Sequence, residues 1–108
     1  SPPISVPAYY DSSKREREFQ QLYNAVQSEP FKDKQLQLLR NGVYNRFFTV
    51  DQSVRMMSIY TFDDDKLKVL EIMAPKIVDR ENQFKIFKAL SFISSRDKAE
   101  AIMNVTPR

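Results

Sequence analysis

Cysteine, histidine and tryptophan are absent from this 108-residue chain, and glycine occurs once, at Gly42. Without Cys there is no disulfide and no thiol nucleophile. Without His there is no His-based triad and none of the usual zinc or iron ligands. A metal site would have to be built from carboxylates alone, which restricts it to calcium or magnesium. All-β domains and phosphate-cradling loops both draw on glycine for positive φ and close backbone approach, so a single glycine argues against either. No apolar run approaches the roughly 20 residues needed to span a bilayer, and no signal-like segment opens the chain. The formal charge is +3, from 17 basic and 14 acidic residues spread along the chain. Nucleic-acid binders more often concentrate their basic residues in one stripe, whereas "KREREF" alternates sign, so nucleic acid is not the expected partner. The lack of Cys does not specify a compartment; the cytoplasm is slightly favoured. Opening at Ser1 without Met, the chain reads as a piece of a longer protein.

What the chain does have is packing material: eight Phe, five Tyr and four Met. Its length supports one domain with a core that needs no metal or disulfide. Residues 1–13, "SPPISVPAYYDSS", hold three of the six prolines and lack amphipathic periodicity. They read as a proline-rich linker or an arm, and by composition as a disordered tail first; the alternative is that Ile4, Val6, Tyr9 and Tyr10 pack onto a groove. Residues 14–105 read as the folded domain and 106–108 as a tail.

Helical spacing dominates the domain. Phe19, Leu22, Tyr23 and Val26 form one stripe, capped by Asp11, Ser12 or Ser13 and stopped near Pro30. A second helix follows Phe31 with Leu36, Leu39 and Val43 inward, and Gly42 is placed to close it in a left-handed conformation. Thr49 and Gln52 form a capping box opening a third helix that carries Val50, Val54, Met57 and Tyr60. A fourth starts at Asp63–Asp65 and presents Leu67, Leu70 and Met73, until Pro75 ends or kinks it. Asp79 caps a fifth with the stripe Phe84, Phe87 and Leu90. "SSRD", residues 94–97, opens a sixth with Ala99, Ile102 and Met103. The expected fold class is all-α, of five to six short helices without strands.

These helices repeat. Phe31, Leu36, Leu38 and Leu39, advanced by 31 residues, land on Phe62, Leu67, Val69 and Leu70. Val54, Met56, Met57, Ile59, Tyr60 and Phe62, advanced by 30, land on Phe84, Ile86, Phe87, Ala89, Leu90 and Phe92. A period of about 30 residues holding two helices marks a short, solenoid-like stack of helical hairpins. In this frame Phe31, Phe62 and Phe92 each precede a helix, where an aromatic can staple the incoming chain to the core. Asp63, Asp64 and Asp65 then fall in a first helical turn, where carboxylates satisfy free amides and oppose the helix dipole. A calcium loop wants alternating ligands and a glycine at its sharp turn, and the residues that follow are Lys66 and Leu67. The aspartates therefore read as structural.

The segments "EFQQLYNAV", "EPFKDKQLQLLRNGVYNRFFTVDQSVRMMSIYTFDDDKLKVLEIM" and "IVDRENQFKIFKALSFISSRDK" together resemble a small helical domain of unknown function. That domain is common in secreted and surface proteins of Bacteroidetes and follows proline-rich regions in some animal proteins. The resemblance covers about residues 15–103 and rests on the recurring "F…K-L…L" hairpins and the "SF-SS" motif before the final helix. It implies a helical domain attached to a larger protein, and it brings no catalytic residues with it.

The inventory of reactive groups is thin. Paired carboxylates (Glu16 and Glu18, Asp63 to Asp65, Asp79 and Glu81) sit at helix starts or on charged faces, with no His, Cys or glycine-rich loop beside them. A Ser95–Lys98 pair would need a buried lysine of depressed pKa. The expectation is a domain that is not an enzyme and takes no cofactor. Two surfaces could bind a partner. In "RNGVYNRFF", Arg40, Tyr44 and Arg46 combine residue types enriched at binding hot spots, although Tyr44, Phe47 and Phe48 could instead pack inward. Lys76, Arg80, Lys85 and Lys88 form a basic face that could meet an acidic ligand or an anionic membrane, although charged outer faces are ordinarily just solvated. The leading expectation is a non-catalytic interaction module that binds a peptide or neighbouring domain between its hairpins, its own proline-rich segment included. An adaptor for anionic surfaces is the second.

Overall fold

Asp11 stands in extended conformation and its carboxylate accepts the Lys14 amide at 3.1 Å, which starts α1 (Ser12–Ser28). Ser12 and Ser13 thus belong to the first helix rather than to the arm. The computed structural model describes residues 11–105. The proline-rich arm, with Ile4, Val6, Tyr9 and Tyr10, and the tail at 106–108 lie outside the described residues.

Phe19, Leu22 and Val26 are the buried stripe of α1. A three-residue link carries the chain into α2 (Lys32–Gly42), which buries Leu36 and Leu39 against α1. Gly42 does not adopt the expected left-handed conformation; among the described residues that backbone belongs to Asn45, at φ 58°, a residue that tolerates it. Gly42 is needed for close approach instead, because a Cβ there would overlap the Leu22 side chain.

Thr49 opens α3 (Val50–Met57) with the expected capping box: its hydroxyl accepts the Gln52 amide at 3.1 Å, and the Gln52 side chain accepts the Thr49 amide at 3.0 Å. Tyr60 lies just past this helix, buried. Arg55 ties α3 to α1. Its guanidinium donates to Glu16 at 2.9 Å and Gln20 at 2.7 Å, and lies 4.8 Å from the Phe19 ring centre.

α4 (Asp63–Met73) is the central element, packed against α2, α3 and α6. It ends at Met73, and Pro75 turns the chain into a single 3-10 turn, Ala74–Lys76. Ile77 then meets Phe48 in an isolated parallel bridge, with the Phe48 amide on the Lys76 carbonyl at 2.9 Å and the Val78 amide on the Phe48 carbonyl at 3.0 Å. No strand forms among the described residues beyond this bridge.

Asp79 caps a helix other than the expected one. Its carboxylate accepts the Val50 amide at 2.7 Å, so it serves the start of α3. A second 3-10 turn, Arg80–Asn82, separates it from α5 (Phe84–Lys88). α5 has only five residues, and its inward residue is Ile86, with no exposed surface. Phe84, expected in the core, is about half exposed (49%). Phe87 is partly buried against the core and Leu90, just past the helix, is buried, so the expected stripe does not face inward as a whole.

α6 (Ile93–Val105) completes the fold and buries Ser95, Ala99 and Met103. At the far end of the molecule the Arg80 guanidinium donates to the Met103 carbonyl at 2.9 Å and the Ala74 carbonyl at 3.0 Å, joining the C-terminal part of α6 to the turn that follows α4. One continuous core results, from Phe19 and Leu39 through Met56, Met57, Leu70 and Met73 to Ile86 and Leu90. Each such side chain contributes about 1.5–3 kcal/mol relative to exposure. No helix among the described residues is long and apolar enough to cross a membrane.

Candidate functional site

Phe31, Phe62 and Phe92 each occupy the residue immediately before a helix: α2, α4 and α6. Their carbonyls take the first helical hydrogen bonds, from the Gln35, Lys66 and Arg96 amides at 2.9, 3.1 and 3.1 Å. Backbone duty at a helix start leaves the ring free to turn either way. All three turn outward, at 68%, 71% and 65% exposure. This corrects the expectation that they staple the chain to the core. The apolar residues that α2, α4 and α6 bury include Leu36, Leu67 and Ala99 instead.

Polar contacts fix the three helix starts to one another. Lys32, the first residue of α2, pairs with Asp65 of α4 at 3.1 Å. Asp63, the first residue of α4, accepts the Ser91 and Phe92 amides at 3.0 Å each, just before α6. Lys66 donates to the Ala89 carbonyl at 3.0 Å, and the Tyr60 hydroxyl donates to Gln35 at 2.9 Å. The helices therefore begin along a common edge, and the phenylalanines line it. Between Phe62 and Phe92 lies a hollow of about 220 Å³, lined also by Asp63, Asp64, Ser94, Ser95 and Lys98.

The three aspartates share the first turn of α4, as expected, but the two buried ones serve neighbouring elements. Asp63 caps the approach to α6, and Asp65 pairs with α2. Burial alone would push the Asp63 carboxyl up. The Ser91 amide, the Ser95 hydroxyl, the Phe92 amide and the Lys66 ammonium outweigh burial and hold it below the usual carboxylate range. Burial, aided by the nearby Asp65 charge, pushes the Tyr60 phenol up, so it stays protonated and can donate to Gln35. Among the described residues no three carboxylates are grouped so as to hold a metal ion.

The residues singled out in the sequence lie elsewhere. Arg40 is exposed on the last turn of α2, and Tyr44 is 75% exposed in the loop that follows, so of the aromatics there only Phe48 is fully buried. Arg46 is half-buried. This loop stands at the opposite end of α2 from Phe31, about 16 Å away along the helix. Of the basic group, Arg80 is bonded to two carbonyls, Lys85 pairs with Asp51 at 3.2 Å, and Lys88 lies 5.6 Å from the Phe84 ring centre. Lys76 is half-buried in its 3-10 turn.

An all-helical fold with this edge can be set beside known families. A domain of unknown function, DUF4476, matches residues 14–103. The chain belongs to that family. No curated protein and no solved structure matches it. The family description carries no activity, so what this DUF4476 domain does has to be argued from its own surface. The phenylalanine edge was missed as a surface because a Phe before a helix is apolar and recurrent, and so is a core staple. The recurrence was the available signal; the direction of the rings was not.

Proposed function

We propose that this DUF4476 domain is a non-catalytic interaction module that binds an extended protein segment along the edge lined by Phe31, Phe62 and Phe92. The observation that carries the reading is their shared exposure at the start of three adjacent helices. Singly exposed apolar residues are common and mean little. Three rings on one edge, recurring at intervals of 31 and 30 residues, are a different case: each forgoes about 1.5–3 kcal/mol of burial, and grouped apolar exposure marks interaction surfaces. The recurrence supports reading the chain as a repeat of hairpins in which each unit offers one ring. The reading as a non-enzyme is supported by the lack of His and Cys and by the engagement of the buried carboxylates Asp63 and Asp65 in helix-to-helix contacts.

The test is selection from a library of synthetic extended peptides. Ligands should be found that lose binding on Phe62→Ser and keep it on Lys88→Glu. A library yielding no ligand sensitive to Phe62→Ser overturns the reading.

The adaptor for anionic surfaces remains the second reading, supported by the net charge of +3. It is weakened by the internal contacts of Arg80, Lys85 and Lys88. It expects co-sedimentation with anionic vesicles that disappears at high salt and on Lys85→Glu with Lys88→Glu. The loop residues Arg40, Tyr44 and Arg46 serve either reading as a secondary contact.

A further inference from the structure

We propose that the occupant of the phenylalanine edge is the N-terminal segment of a second copy of this chain, docked in polyproline II form. The proposal rests on the reading of that edge as a binding surface and adds the ligand.

Two periodicities match. Polyproline II has three residues per turn and advances about 9.3 Å per turn. In "SPPISVPAYY", Pro3, Val6 and Tyr9 recur at every third residue, and so do Ile4, Pro7 and Tyr10. Wound in that form, the segment would carry two neighbouring apolar stripes, with Pro2, Ser5 and Ala8 on the third face. Packed helices lie about 8–10 Å apart, so α2, α4 and α6 set their leading phenylalanines at nearly the same pitch. One apolar residue per turn would meet one ring per helix. Aromatic rows suit such ligands because a polyproline II segment loses little conformational freedom on docking.

The chain cannot do this to itself. α1 is about 25 Å long, and its three-residue link to α2 puts its C-terminal end beside Phe31. Near its start, Glu16 meets Gln52 and Arg55 of α3 at 2.9 Å each. That is the end of the molecule where Asp79 caps α3 and Arg80 joins α6 to the turn that follows α4. Asp11 therefore stands away from the phenylalanines. With Tyr9 on a ring, the step to Asp11 allows only about 7 Å of chain. The segment must come from another copy, which makes the contact head-to-tail.

The test is sedimentation velocity on the full chain over a concentration series. Two variants break one side each: Phe62→Ser the edge, Val6→Asp with Tyr9→Ser the segment. The expected result is a mean mass that grows with concentration for the unaltered chain, with either variant weakening association by about tenfold or more, the loss of one aromatic anchor. An equimolar mixture of the two variants should form dimers and nothing larger, since it holds one intact segment and one intact edge. A synthetic peptide of residues 1–10 should dissolve the assemblies. A chain monomeric at every concentration, or an association that neither variant weakens, overturns the proposal. If library peptides still bind through Phe62 in a chain that stays monomeric, only the assigned ligand falls; if no peptide binds either, the interaction reading falls with it.

Discussion

Asp63 shows how much one side chain can hold together. Its carboxylate sits at the start of one helix and accepts two amides at the approach to another, at 3.0 Å each, so its removal should loosen both. Asp63→Asn is expected to cost about 2 kcal/mol in urea denaturation at neutral pH, the scale of a lost cap bonded by charge-assisted hydrogen bonds. The pH dependence follows from the depressed folded pKa. Stabilisation by Asp63 is fully present above the ordinary carboxylate value of about 4 and is lost as pH falls through the lower folded value. The Asn variant should lose that part of the acid-side slope. Ser53 is the opposite case. It is fully buried in α3, and among the described residues its hydroxyl has no hydrogen-bond partner. Ser53→Ala should leave stability unchanged or raise it by about 1 kcal/mol, since an unpaired buried hydroxyl carries a desolvation cost. Thermal melts of the two proteins measure the difference.

Elements in this fold are bounded by residues borrowed from their neighbours. Asp79 accepts the first amide of α3, and Asp63 accepts the Ser91 and Phe92 amides just before α6, so helix starts are stabilised across the fold as well as along the chain. The α1–α2 hairpin depends on what Gly42 lacks. Gly42→Ala should gain up to about 1 kcal/mol in helix propensity. The clash of the new Cβ with Leu22 should outweigh that gain, for a net loss of about 1–2 kcal/mol. A Leu22→Ala background should remove the clash, so that adding Gly42→Ala there becomes neutral or stabilising; a double-mutant cycle by chemical denaturation measures the coupling. Most of this level was legible beforehand. The starts of α1, α3 and α4 and the buried stripes of α1, α2 and α4 follow from caps and helical spacing. α5 starts at Phe84 and not directly after Asp79, because a turn of 3-10 helix between them leaves no mark in the apolar pattern.

For the molecule as a whole, the proposed reading rests on the separation of core from edge. Ile86 and Phe62 are both large and apolar, yet Ile86 has no exposed surface while Phe62 is 71% exposed. Ile86→Ala should cost about 2–5 kcal/mol through the cavity it leaves. Phe62→Ser should change stability by less than about 0.5 kcal/mol while removing whatever the edge binds. Denaturation curves for both variants, set beside the peptide-binding assay, separate packing from recognition. If Phe62→Ser proved as destabilising as Ile86→Ala, the ring would belong to the core and the edge would not be a binding surface.

The residues alone determined the helical class, the missing chemistry of His and Cys, and where α1 to α4 begin, because capping and 3.6-residue periodicity act over a few neighbours along the chain. Tertiary structure decided which apolar residues face water and whose amides each aspartate serves. A ring before a helix can turn inward or outward at little local cost. Which way it turns depends on residues distant along the chain, so only the packed fold shows Phe31, Phe62 and Phe92 exposed while Leu36, Leu67 and Ala99 of the same helices are buried.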